Sequence, residues 1–179
     1  MDSYLERLHQ AIASATSGMS AEDLGLRVDG KWSAAEVLEH LYLTYTGTQK
    51  AFERCLQAGR PLAGVPSFKQ RVATAAVTEF GYFPRGRKSP DQVLPRGMPV
   101  ENVVGGIGRQ IAAMDKVIAQ CEESYGSHIR VLDHPVLGPL TARQWRKFHL
   151  AHGRHHVKQI LERRRSVSYP ASPIEKPPA

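Results

Sequence analysis

The sequence predicts an all-α fold, a four-helix bundle. Four stretches space their apolar residues for one face of a helix. Two of them open with the same helix-start signature, and no stretch shows the alternation and turn spacing of a convincing sheet.

The first helical stretch, residues 2–16, contains MDSYLERLHQAI, an amphipathic pattern without the basic, apolar and small-residue order of a secretory signal. The second, residues 33–58, has the firmest start. Ser33 caps it, Glu36 closes a capping box, and Trp32 staples onto Val37. A turn at Gly59 to Pro61 follows, and residues 66–78 add a further helix or partial helix. Between Gly81 and Pro99 stand Pro84, Pro90, Pro95 and several glycines, so no regular element is expected there. A connection of that length suits a crossover between helices that are not immediate antiparallel neighbours. The third stretch is residues 100–125. The fourth, residues 141–165, repeats the start grammar with Thr141, Gln144 and the apolar pair Leu140 and Trp145. Residues 1–165 thus form one expected domain. Residues 166–179, with four prolines in the last ten positions, read as a disordered Pro-rich tail.

Composition narrows the function classes. A chain of 179 residues suits one domain with a real core. Its apolar residues form no run near the roughly 20 needed to span a membrane, so no membrane partner is expected. Cys55 and Cys121 stand far apart in sequence without other cysteines, so a disulfide framework is not expected and a reducing cytoplasm is the expected location. A net charge of +7 raises nucleic acid as a partner. The charge is dispersed, however. Its densest groups are Arg85, Arg87 and Lys88 in the Pro-rich connection and Arg163 to Arg165 at a helix C-terminus, where cations complement the helix dipole. With no recognisable binding motif, specific nucleic-acid binding is not expected.

The chemistry concentrates in WRKFHLAHGRHHVKQI, residues 145–160, which holds His149, His152, His155 and His156. At about 100° per residue with His152 at zero, His156 falls near 40°, His149 near 60° and His155 near −60°. Trp145, Phe148 and Gln159 share that broad face, so the histidines point where the aromatic residues point. Uncompensated buried imidazoles are costly, and metal ligation compensates them. His152 and His156, four apart, lie on adjacent turns within reach of one ion. A third ligand must come from elsewhere, and His40, the only histidine of the second helix, is the best candidate. Three neutral imidazoles leave positions for water or substrate, as a reactive metal site requires. A plainer reading also stands: a histidine pair at this spacing is equally a core or surface feature. Glu36, His149, His155 and Gln159 are candidates to support a ligand or accept a proton, and geometry at this level does not rank them. His9 reads as a surface residue, and His128 and His134 as turn or capping residues.

Three stretches together resemble a known family. KWSAAEVLEHLYLTY, residues 31–45, is similar to the first histidine-bearing helix of the DinB-like superfamily. HPVLGPLTARQWRKFHLAHGRHHVKQI, residues 134–160, resembles its last helix, with two histidines four apart before a Gln-Ile pair. FPRGRKSPDQVLPRG, residues 83–97, is similar to the Pro-rich connection of a subgroup, and LAHGRHH resembles part of the YfiT-like metal hydrolases and bacillithiol transferases. The resemblance implies an up-down-down-up four-helix bundle and a divalent metal, zinc or nickel, on three histidines that map to His40, His152 and His156. It also implies a homodimer. The family name does not imply DNA binding.

The expected function is a metal-dependent enzyme in which the ion activates a thiol or water toward an electrophilic small molecule. The resemblance points to transfer of a low-molecular-weight thiol, whose carboxylates the basic residues between Arg85 and Arg96 would attract. Hydrolysis of an amide or ester is the alternative for the same three histidines. A non-catalytic, stress-related protein whose metal only stabilises the bundle is the alternative from another class.

Overall fold

A computed structural model describes residues 1–83 and 89–168. The Arg85, Arg87 and Lys88 group and the tail from residue 169 lie outside the described residues. The chain is mostly helical, and its helices begin where side chains satisfy the free N–H groups that open every helix. Helix α1, Ser3–Thr16, starts after Asp2, whose carboxylate accepts from the Tyr4 N–H. Helix α2, Ala21–Gly25, starts at a capping box of Ser20 and Asp23. Helix α3, Ala34–Gln57, has the capping box of Ser33 and Glu36 that its sequence announces. Helix α4, Phe68–Thr78, starts at a third box, Ser67 with Gln70. Helix α5 is Val100–Tyr125, and α6 is Ala142–Ser168. Before α6, the Thr141 hydroxyl accepts from the Gln144 N–H at 3.2 Å while Gln144 accepts from the Thr141 N–H at 3.0 Å, the reciprocal pair read from the sequence.

The four long helices thus fall where periodicity places them, with ends displaced by a few residues at most, and α6 runs three residues past 165. Three expectations are corrected. Short α2, absent from the expected elements, is too brief for an apolar period and is set by its capping box. The 81–99 connection holds a 3₁₀ turn, Asp91–Val93, where Pro90 supplies a turn-compatible φ of −59°. A two-stranded antiparallel sheet joins α5 to α6: β1, Arg130–His134, pairs with β2, Gly138–Thr141. Strands of five and four residues are too short to display period two, and their burial does not alternate. Packing makes them instead, because Val131, Leu132, Leu137 and Leu140 are all buried. His134 takes the turn role read for it: its Nδ1 accepts from the Val136 and Leu137 N–H groups, each at 3.1 Å.

Helix α3 packs chiefly on α5, and α1 on α6, while α6 also touches α3, α4 and α5. Leu5, Leu8 and Ile12 of α1, Leu38, Leu41 and Phe52 of α3, and Ile111, Met114 and Ile118 of α5 share one core. Burial of each such side chain is worth about 1.5–3 kcal/mol, more than local propensity supplies per residue. Gly153 sets the approach of α1 to α6. A Cβ there would lie 2.1 Å from Leu8 Cδ1, and Leu8 is fully buried and has nowhere to move. Cys55 and Cys121 are free and fully buried, brought together by α3 and α5. Burial first, then the neighbouring Cys55, pushes the Cys121 thiol up to about 12. No helix among the described residues is long and apolar enough to cross a membrane.

Candidate metal centre

The stripe of α6 that carries Trp145, Phe148, His149, His152 and His156 faces the interior, as the helical angles require. Against it comes His40, seven residues into α3 and only 3% exposed. One ring nitrogen each of His40, His152 and His156 lies within 4.8 Å of the others. His40 Nε2 stands 3.5 Å from His152 Nε2, and His156 Nε2 stands 3.0 Å from it. The structure therefore brings together the three histidines singled out in the sequence, 112 residues apart for His40 and His152.

The outer nitrogens decide which lone pairs face inward. His40 Nδ1 lies 2.8 Å from the Val93 carbonyl. A carbonyl only accepts, so Nδ1 carries the proton and Nε2 presents its lone pair to the cluster. His156 Nδ1 lies 2.9 Å from Gln159 Oε1 and is oriented the same way. His152 differs: its Nδ1 is buried and has no hydrogen-bond partner among the described residues. Its ring is held by stacking, 9° from parallel to Phe148 with centroids 5.4 Å apart. Phe83 lies 5.7 Å from His152 and Trp32 5.5 Å from His40, so aromatic rings wall the cluster.

Desolvation governs the protonation of all three. Burial holds His40 below 6.5, with the Val93 carbonyl opposing weakly. Burial and then His40 take His156 down to about 3, and burial with its neighbouring histidines takes His152 well below its ordinary value. Neutral imidazoles are the form that binds a metal. Three neutral imidazoles converging, two of them with their lone pairs fixed inward and the third within 3.0 Å of His156 Nε2, offer a donor set that fits a divalent ion.

The other candidates separate. Gln159 joins the cluster through His156, and its Nε2 lies 3.5 Å from His155 Nε2. His155 also stacks on Phe83 with centroids 5.7 Å apart. Glu36 is occupied elsewhere: it accepts from the Ser33 N–H and pairs with the Arg27 guanidinium, which first lowers its carboxyl pKa. His149 is fully buried one turn before the cluster, edge-on to Tyr45, and neither nitrogen has a partner among the described residues. His9 is half-buried rather than on the surface, its ring against Gly108 of α5. Trp32 does more than staple the start of α3, since it covers His40 and its carbonyl accepts from Arg163 Nε at 2.9 Å. Trp32 and Gln159 also line an open cleft of about 370 Å³ with Gly30, Lys31, Val37 and Arg163.

Sequence reasoning missed Glu39, whose carboxylate is only 2% exposed. It accepts three backbone N–H groups, from Arg96 at 2.7 Å and from Gly97 and Met98 at 3.1 Å each. Its signal was a carboxylate set among Val37, Leu38, His40 and Leu41, where a solvated acid has no place.

A family model for the DinB superfamily matches residues 4–160. No curated protein and no solved structure matches the chain.

Proposed function

Since the chain belongs to the DinB superfamily, we propose that it is a metal-dependent enzyme holding a divalent ion, zinc or nickel, on His40, His152 and His156. Its substrate is a small electrophilic molecule, and the group it activates is a low-molecular-weight thiol. The convergence of three ring nitrogens, two of them with their lone pairs fixed inward, carries this reading. When bound, such an ion supplies Lewis acidity and lowers the pKa of a thiol or water.

The chain's own residues do the rest. The Val93 carbonyl and Gln159 fix two ligands in the binding tautomer, which raises their basicity and removes the cost of ordering them on binding. Trp32, Phe83 and Phe148 exclude water and so strengthen every charge interaction inside. His155, beside the cluster through Gln159 and Phe83, is the candidate proton acceptor in this reading. The long helices follow the family's up-down-down-up order in this reading, and the protein works as a cytoplasmic homodimer.

Elemental analysis of untagged protein purified without chelator tests the proposal, run beside His40→Ala, His152→Ala and His156→Ala. Near-stoichiometric metal in the parent and its loss in all three variants is expected. A parent that takes up neither zinc nor nickel on incubation overturns it. In the loaded enzyme, turnover that requires added thiol marks transfer, and thiol-independent turnover marks the hydrolase alternative.

A further inference from the structure

His40 is oriented by a backbone carbonyl, so something must hold that carbonyl in place. Val93 closes the 3₁₀ turn of a connection rich in proline and glycine, which among the described residues has few backbone bonds of its own. The next fixed point along the chain is Glu39. Its carboxylate gathers the N–H groups of Arg96, Gly97 and Met98, three donors in succession aimed at one anion. Gly97 makes the curl possible with φ at +84°, a conformation that a side chain disfavours. Glu39 and His40 are consecutive in α3, so they grip the same connection at two points, residues 96–98 and residue 93.

A buried carboxylate is costly to place in a core, and three charge-assisted hydrogen bonds compensate it. A solvent-exposed acid at this position would save that cost and leave α3 intact. What Glu39 contributes beyond the helix is the path of residues 93–98.

We propose that Glu39 is a positioning residue for His40: by anchoring residues 96–98 it holds the Val93 carbonyl against His40 Nδ1 and fixes the tautomer whose Nε2 lone pair joins the cluster. The inference rests on the reading of His40 as a metal ligand, yet its first consequence is visible in the metal-free protein.

The test is ¹⁵N NMR of the histidine rings in metal-free protein at pH 8, comparing the parent with Glu39→Gln. An amide removes the charge and replaces one of the two accepting oxygens with an NH2 donor, so at least one of the three bonds is lost and the hold on the connection weakens while the size of the side chain is kept. In the parent, His40 is expected as the Nδ1–H tautomer. In Glu39→Gln it shifts to a mixture with Nε2–H, the His156 tautomer stays unchanged, and zinc affinity falls about tenfold or more. Ser33→Ala serves as the control: it loosens the same helix start and lowers stability without moving the His40 tautomer. If Glu39→Gln does not fold, Glu39→Asp, which keeps the charge and retracts it by one methylene, shows the same shift to a smaller extent.

A folded Glu39→Gln with the parent's His40 tautomer and zinc affinity overturns the inference, as does a tautomer shift of equal size in Ser33→Ala. A parent that binds no zinc but whose tautomer still follows Glu39 supports the positioning role and defeats the metal reading alone.

Discussion

The first turns of α6 and its middle bury polar groups in opposite ways. Near its start, Arg146 is met by Asp115 at 3.0 Å and Glu122 at 2.5 Å, and Asp115 in turn accepts from the Asp2 N–H at 2.7 Å. Opposite charges answer one another, and the group ties α1, α5 and α6 together. From His149 to His156 the same face buries neutral imidazoles whose nitrogens converge or, among the described residues, find no partner. A closed set of partners is what architecture requires. An open set in a core that could have been apolar marks a place reserved for something else.

The largest effect at neutral pH is expected in the closed set. Arg146→Ala leaves Asp115 and Glu122 without their cation and should cost roughly 3–5 kcal/mol in urea unfolding, the usual penalty for breaking a buried pair. A loss under 1 kcal/mol would mean that the network is solvated and the contrast false. It should leave metal content unchanged in whatever fraction folds.

In the open set, Gln159→Leu removes the acceptor of His156 Nδ1 and should weaken zinc binding about 10- to 100-fold in chelator competition, with little change in stability. Unchanged affinity would show that His156 needs no orientation.

The smallest effect at neutral pH belongs to His149. Among the described residues its nitrogens make no bond that Leu would break, so His149→Leu should change stability by less than about 1 kcal/mol, in the stabilising direction. A large loss would reveal an unseen partner. Acid sharpens the contrast. Burial first, with a contribution from His134, takes His149 down to about 3, whereas the unfolded chain titrates it near 6.5. Between those values the unfolded state binds the extra proton. Stability, fully present above pH 6.5, is therefore lost as pH falls toward 3, at about 1.4 kcal/mol per unit for a histidine of this kind. In metal-free protein, where the other buried histidines add slopes of the same sign, urea titrations from pH 7 to 4 should be steeper in the parent than in His149→Leu by up to about this amount. Equal slopes in the two proteins would refute the assignment.

Much of this site was legible before any coordinates. The i, i+4 spacing put His152 and His156 on one face, the caps at Ser33 and Thr141 fixed two helix starts, and Gln159 stood one turn beyond the histidines. What escaped was of another kind. Glu39 acts through backbone N–H groups, which every residue has and no motif records. The β1–β2 hairpin forms from four buried side chains rather than from an alternating pattern. Glu36 read as a candidate proton acceptor until Arg27 was found to occupy it.

The sequence by itself determined the long helices, the faces they bury and the pair of histidines on α6, because those depend on angles repeated along a few turns of chain. Tertiary structure alone decided that His40 meets that pair, that the Val93 carbonyl turns its tautomer inward, and that a buried carboxylate fastens the connection. These contacts join residues 53 to 112 positions apart, and no local periodicity reaches so far.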